Sequence, residues 1–229
     1  MGRSVLVTGG TGGLGAAVTT AFLDAGWRVV VPWIVERELE RVPARSGLEL
    51  VRADLFDLAS ARDCATVAAS DVDNPLRAVV NLVGGFAMGG KVHETPVEDF
   101  ENQLRLNLRA TYLTCQQTIP HLTSAGGGSI VCMSSRAALH PFAGAAGYIT
   151  SKAAVLALVT ALDAEYKDAN IRANAVLPGV IDTPGNRASM PDSDRKDWVS
   201  PADIARTIVF LSSDDSSAIS GAQVPVHRA

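Results

Sequence analysis

The chain has 229 residues, 47% of them apolar and 19% charged, and a formal net charge of −4. This balance excludes a disordered chain, leaves enough apolar material for one sizeable core, and argues against nucleic acid or an anionic membrane surface as a partner. The three cysteines, Cys64, Cys115 and Cys132, form no CxxC pair and no metal-ligand cluster, so they read as buried thiols of a reducing compartment, and no metal is expected. The apolar run Val5-Leu6-Val7 is preceded by no basic and long apolar leader. With no apolar stretch read as long enough to span a bilayer, the expected location is cytoplasmic.

Residues 4–7 are a β-branched run that opens into Thr8-Gly9-Gly10-Thr11-Gly12-Gly13-Leu14-Gly15, and a helix follows over residues 16–25 and stops at Gly26. Gly10, Gly12 and Gly15 fit GxGxxG; Thr8, Gly9, Gly13 and Gly15 fit TGxxxGxG. Glycines at a strand-to-helix turn allow close backbone approach, and the helix N-terminus offers N–H groups and a positive dipole end to a pyrophosphate.

Residues 28–33 form a second strand. A dinucleotide fold often places a carboxylate at this strand's end, on the adenosine ribose. Pro32-Trp33 stands there instead, followed by Ile34; the nearest charges, Glu36 and Arg37, lie at the start of a helix expected to run to Val42. Neither NAD(H) nor NADP(H) is favoured on these residues. A third strand over 48–52 leads to Asp54, which could reach an adenine amino group or could cap the helix expected over 57–69. A fourth strand over 76–82 enters Asn81-Leu82-Val83-Gly84-Gly85, where the glycines suggest backbone close to a ligand. His93, in the mixed loop that follows, reads as solvent-facing.

Leu104, Leu108, Tyr112, Cys115 and Ile119 recur at helical spacing and predict one long helix over 96–123. Asn107 sits in its middle and needs a hydrogen-bond reason to be there. A fifth strand over 129–133 ends in Ser134-Ser135. A second long helix, 147–167, carries Tyr148 and Lys152 one turn apart on one face. An ammonium beside a phenol stabilises the phenolate, which suits the phenol for general acid–base work. A sixth strand over 171–177 ends in Pro178-Gly179; residues 182–199 are polar and irregular, with Met190 and Trp198 as apolar landmarks. A helix over 201–213 is capped by Ser200 with Pro201 in its first position, and residues 223–226 form a short last strand.

Strands and helices alternate from end to end, which predicts an α/β fold: a doubly wound parallel sheet of about seven strands with helices on both faces. No linker or composition break divides residues 1–229, so one domain is expected. In such sheets ligands lie beyond the carboxyl ends of the strands. The glycine loop, Trp33, Asp54, Asn81 to Gly85, Ser134-Ser135 and Pro178-Gly179 all fall there.

Over nearly its whole length the chain resembles the short-chain dehydrogenase/reductase family. The likeness is carried by the glycine loop, Asp54-Leu55, Asn81 with Gly84, Asn107, Ser135 thirteen residues before Tyr148, Tyr148 with Lys152, and Pro178-Gly179 through Thr183. Asn81-Leu82-Val83-Gly84 departs from the family's usual Asn-Ala-Gly, and the selector residue after the second strand is missing.

The resemblance implies a Rossmann fold and hydride transfer between NAD(H) or NADP(H) and a carbonyl or alcohol substrate. It implies Tyr148 as general acid or base and Lys152 as the group that lowers the phenol pKa and holds the nicotinamide ribose. Ser135 would bond the substrate oxygen, and Asn107 would hold a water linking Lys152 to solvent. The implied cofactor-binding set is Gly9, Thr11, Gly12, Gly13, Leu14, Gly15, Trp33, Asp54, Leu55, Asn81, Gly84, Tyr148, Lys152, Pro178, Gly179, Ile181 and Thr183. Arg136 could meet an anionic substrate or face outward. Leu139, Phe142, Met190 and Trp198 could line an apolar pocket or belong to ordinary packing. Residues 182–199 would be a short substrate lid; their Thr183-Pro184-Gly185-Asn186-Arg187, Met190-Pro191 and Trp198 resemble the matching loop of dihydropteridine reductases, a local likeness that does not extend to the substrate. A C=N (imine or pteridine-like) reductase on the same site is an alternative to the carbonyl reading. A catalytically silent cofactor-binding regulator is a further alternative, disfavoured by the intact Ser135, Tyr148, Lys152 and Asn107. The long helices resemble those that pair between subunits in this family, so a homodimer or homotetramer is expected.

Overall fold

The computed structural model describes residues 2–227. Seven strands form one sheet, β1 Ser4–Thr8, β2 Arg28–Trp33, β3 Leu48–Arg52, β4 Leu76–Asn81, β5 Gly128–Met133, β6 Ile171–Pro178 and β7 Gln223–Val226, in the order β3-β2-β1-β4-β5-β6-β7. Every neighbouring pair is parallel. The helices are α1 Gly15–Asp24, α2 Leu58–Ala69, α3 Val97–Leu104, α4 Ala110–Ser124, α5 Ala146–Tyr166, α6 Pro184–Ser189 and α7 Pro201–Ser212.

The register explains how one sheet holds two cores. Val30, Leu6, Val79, Ile130 and Ala173 are aligned across five strands, and all five belong to the cluster that packs with Cys64, Cys115, Leu122, Val155, Val159 and Leu162 from α2, α4 and α5. Side chains alternate along a strand, so the adjacent row Val29-Val5-Ala78 points the other way. It joins Val18, Phe22, Ile204 and Ile208 of α1 and α7. A strand covered on both faces is apolar along its middle, and fully buried β1 has Val5-Leu6-Val7 there, with Ser4 and Thr8 hydrogen-bonded at its ends. The chain fills one side of the sheet with β1 to β3 and then crosses to β4, so a crevice opens beyond the carboxyl ends of β1 and β4, where the strand order reverses.

Three expected elements differ. The predicted helix over 96–123 is two α-helices joined by a π-turn at Arg105–Arg109, and its cause lies at Asn107, described below. The helix expected after β2 is a 3₁₀ segment, Glu36–Arg41, with no buried residue to anchor a longer amphipathic run. The irregular stretch 182–199 contains α6, started by Pro184 behind a Thr183 cap, and Ile181 bridges Val199 at its ends.

One stretch, Ala146–Ala169, is long and apolar enough by length and composition to cross a membrane, at a mean hydropathy of 1.2, contrary to the sequence expectation. Its apolar side chains have a different destination: Val155, Leu156, Val159 and Leu162 pack against the sheet.

Candidate active site

A cavity of about 1150 Å³ lies at the carboxyl ends of the strands. It begins at the glycine loop. Gly9 has φ +66°, and a Cβ at Gly15 would fall 1.9 Å from the Gly9 carbonyl oxygen, so the tight strand-to-helix turn requires glycine at both positions. The first turn of α1 carries no side-chain cap, which leaves a helix N-terminus aimed at the cavity. Gly9, Thr11, Gly12, Gly13, Leu14 and Gly15 all line this end.

Trp33, Asp54 and Leu55 line the same cavity. Asp54 is exposed and accepts from the Phe56 N–H at 2.9 Å. The cap of α2 is Asp57, whose Oδ1 accepts from the Ser60 N–H at 2.8 Å, so Asp54 is not the helix cap and stands at the cavity wall. Across the crevice, Gly84, Pro178, Gly179, Ile181 and Thr183 also line the wall. A Cβ at Gly13 would fall 3.1 Å from Thr183 Cβ, which places Thr183 directly over the glycine loop. The Thr183 hydroxyl accepts from the Asn186 N–H at 3.3 Å as the cap of α6.

Asn81 departs from its expected place. It is 1% exposed, does not line the cavity, and its Nδ2 points to Cys115 Sγ at 3.5 Å and Cys132 Sγ at 3.7 Å. Its position in β4 turns the side chain into the sheet–helix interface instead of the crevice. Leu139 also stays outside the cavity and is 48% exposed; it ends the 3₁₀ turn Arg136–Ala138, which carries it away from the wall. Arg136, Phe142, Met190 and Trp198 do line the cavity.

At the far end Ser135, Tyr148 and Lys152 come together. Ser134 Oγ donates to the Lys152 carbonyl at 2.8 Å and so ties α5 to the end of β5. Lys152 is 5% exposed, and its Nζ donates to the Met133 carbonyl at 3.1 Å. Burial disfavours the ammonium and moves its pKa from 10.5 to about 8, with Cys132 acting weakly the other way. Burial likewise raises the Tyr148 phenol above its ordinary value of 10.0, and the Ser135 hydroxyl beside it pulls it down.

The expected lowering of the phenol pKa by Lys152 is therefore absent from this state. Lys152 Nζ lies 5.9 Å from the Tyr148 ring centroid and is already bonded to Met133, so Ser135 is the group that favours the phenolate.

Asn107 is 1% exposed and belongs to the π-turn. Its Oδ1 accepts from the Gly85 N–H at 3.0 Å, and its Nδ2 donates to the Gly85 carbonyl at 3.1 Å and to the Gln103 carbonyl at 3.2 Å. The widened turn lets the side chain reach the loop after β4, a frequent use of π-turns at functional sites. With the amide committed in this way, it clamps a loop, and any water beside Lys152 would have to be held by other atoms. A Cβ at Gly84 would fall 2.5 Å from Asn107 Oδ1 and 3.1 Å from Lys152 Nζ.

Sequence reasoning missed several cavity residues. Phe86 and Met88 come from the mixed loop after β4, and they line the cavity beside Tyr148. The Phe86 ring meets the Tyr148 ring edge-on, with centroids 5.0 Å apart, and Phe142 lies 6.4 Å away. Glu38, His140, Asn186, Asp194 and Asp197 also line the wall. Phe86 and Met88, large apolar side chains in a loop of mixed composition, were the one available signal. His93 is exposed and lies 3.8 Å from Glu94.

The residues present fit a nicotinamide dinucleotide. An open glycine cradle at a helix N-terminus, a carboxylate and Trp33 at one end, and an ammonium beside a phenol and a hydroxyl at the other are joined by one cavity.

Comparison with known proteins agrees. Residues 3–194 match the family model described as short chain dehydrogenase. The 2-(R)-hydroxypropyl-CoM dehydrogenase of Xanthobacter autotrophicus is 33% identical over 97% of this chain and 96% of its own length. The 2,5-dichloro-2,5-cyclohexadiene-1,4-diol dehydrogenase LinX of Sphingobium indicum is 32% identical over 98% of this chain and 94% of its own. Among solved structures, ElxO with NADP bound superposes with a TM-score of 0.91 over 99% of this chain and 97% of that one; at 24% identity the likeness speaks for the fold.

Proposed function

The chain belongs to the short-chain dehydrogenase family, and from that premise we propose that Tyr148, Ser135 and Lys152 carry out proton transfer at the oxygen of a carbonyl or alcohol substrate inside the cavity described above. The protein is an NAD(P)-dependent oxidoreductase of the class that interconverts alcohols and carbonyls. The observation that carries the residue assignment is the meeting of a buried ammonium, a half-buried phenol and a hydroxyl at the end of the cavity that starts at the glycine loop.

When bound, the dinucleotide supplies or accepts the hydride. Tyr148 gives its phenolic proton to the substrate oxygen in reduction and recovers it in oxidation. The raised phenol pKa keeps that proton on Oη at neutral pH, the form reduction needs. Ser135 donates to the same oxygen, a contact that strengthens as negative charge develops. Lys152 holds the nicotinamide ribose, Asn107 keeps the Gly84-Gly85 loop in register with it, and Gly9 to Gly15 cradle the pyrophosphate. Trp33, Asp54 and Leu55 border the adenosine; Pro178, Gly179, Ile181 and Thr183 border the nicotinamide.

Residues 1–229 act as one dinucleotide-binding and catalytic domain, with 182–199 as a small lid that brings Met190 and Trp198 over the substrate. Phe86, Met88 and Phe142 give the substrate end an apolar wall. A homodimer or homotetramer through α4 and α5 is supported by the shallow apolar groove that Leu104, Leu108, Tyr112 and Leu158 line. Three free, buried thiols accord with a cytoplasmic location.

The test is hydride consumption. Purified protein is mixed with NADH or NADPH and a panel of ketones and aldehydes, and nicotinamide absorbance is followed. Turnover of at least one carbonyl is expected; cofactor binding without turnover of any carbonyl would refute the assignment.

A further inference from the structure

β2 ends in Pro32-Trp33 and is followed by Ile34, with no side chain there able to accept a hydrogen bond from a ribose. The missing acceptor is nonetheless present in space. Glu38, on the 3₁₀ segment Glu36–Arg41 that follows β2, lines the cavity next to Trp33, Ile34 and Thr11. Its Oε2 accepts from Thr11 Oγ1 of the glycine loop at 3.0 Å, and its Oε1 accepts from Arg41 Nη1 at 3.0 Å. Arg41 Nη1 also donates to the Thr11 carbonyl at 3.3 Å. A carboxylate is thus fixed to the glycine loop by a residue of that loop, and fixed again by a guanidinium that grips the same residue's main chain.

We propose that Glu38 replaces the absent strand-end carboxylate and makes the cavity select NAD(H) against NADP(H). The inference rests on the dinucleotide reading above. A carboxylate only accepts hydrogen bonds, and each of its oxygens retains acceptor capacity beyond the bond it already makes. That chemistry suits ribose hydroxyls. A phosphate ester in place of one hydroxyl carries nearly two negative charges at neutral pH and would meet Glu38 with Asp54 on the same wall. Arg41 does not reverse the sign, because its guanidinium is directed at Glu38 and Thr11. Trp33 and Ile34 contribute no cation. Selection here works through repulsion of the wrong ligand as much as attraction of the right one.

The experiment is a binding titration of the full chain with NADH and with NADPH, read by calorimetry and by tryptophan fluorescence, since Trp33 and Trp198 both line the cavity. NADH is expected to bind about tenfold or more tightly than NADPH. Glu38→Gln keeps the shape, removes the charge, and should narrow the ratio to about threefold or less, chiefly by strengthening NADPH. Glu38→Asp keeps the charge and should retain a preference for NADH. Thermal melting shows that each variant is folded. Equal affinity of the native chain for both cofactors, or an unchanged ratio in Glu38→Gln, would overturn the inference while leaving the dinucleotide reading intact. Binding of neither cofactor would overturn both.

Discussion

Asn107 and Gly85 are joined by a reciprocal pair of hydrogen bonds, Gly85 N–H to Oδ1 at 3.0 Å and Nδ2 to the Gly85 carbonyl at 3.1 Å. The pair spans from a π-turn in the helical layer to the loop after β4, and Gly84 fits between it and Lys152. A polar side chain in the π-turn thereby positions the backbone that faces Lys152.

Replacement of Asn107 by Ala should leave both polar groups of Gly85 without these partners. The cost should be about 2–4 kcal/mol, from two hydrogen bonds lost at a buried site. Denaturant unfolding measures it; a loss below about 0.5 kcal/mol would mean the clamp does not hold the loop. Gly84→Ala attacks the same contact from the other side. Its Cβ would meet Asn107 Oδ1 at 2.5 Å and Lys152 Nζ at 3.1 Å, so stability and turnover should fall together.

Tyr148→Phe removes the proposed proton donor and little else. Turnover should drop by about 10²–10⁴-fold, with cofactor affinity changed less than about threefold. Retention of most activity in steady-state assays would remove Tyr148 from its assigned role.

Lys152 gives a pH signature with a definite sign. Its pKa falls from 10.5 in an unfolded chain to about 8 in the fold. The folded state therefore binds this proton less tightly. Above pH 10.5 the group is neutral in both states and contributes nothing; the penalty grows as pH falls and is complete below about 8. At neutral pH it amounts to about 3 kcal/mol, and the lost bond to Met133 returns about 1 kcal/mol of that. Lys152→Met should thus be the more stable protein by about 2 kcal/mol at neutral pH, with the advantage vanishing in strong alkali. Cofactor affinity of the native chain should weaken as pH rises through about 8, where the ammonium is lost, and stay flat in Lys152→Met. Calorimetric titration across that range decides it.

Phe86→Ala removes the ring packed edge-on against Tyr148. An aromatic contact of this kind is worth about 1 kcal/mol, so KM for a carbonyl with a bulky apolar body should rise about threefold to tenfold. Small ketones should feel less. Equal effects on large and small substrates would mean that Phe86 does not form the substrate wall.

Tyr112 is 51% exposed at the groove on α4 and α5. Tyr112→Asp should shift the particle toward monomer in light scattering. A native chain that is already monomeric would contradict the proposed assembly.

The alternation of apolar strands with helices was sufficient to read the doubly wound sheet, because the middle of a strand covered on both faces has to be apolar, as Val5-Leu6-Val7 of β1 is. Tyr148 with Lys152 and the glycine loop could be singled out as candidates for a related reason: one helical turn and one tight strand-to-helix junction are spacings that the chain order itself sets, whereas Ser135, on another element, was singled out by the family resemblance. What the tertiary structure decided are contacts between segments far apart in sequence. Asn107 looked like a residue needing a partner, but only folding supplied Gly85. Asn81 stood in the right motif yet turned toward Cys115 and Cys132. Lys152 was expected to tune the phenol, and burial instead depressed its own pKa and raised that of Tyr148. Glu38 lay five residues beyond the strand end where a carboxylate was sought, and a 3₁₀ turn brought it back to Thr11. Spacing along a helix or a turn is a property of the chain; burial, and the partner met across the sheet, exist only once the chain is packed.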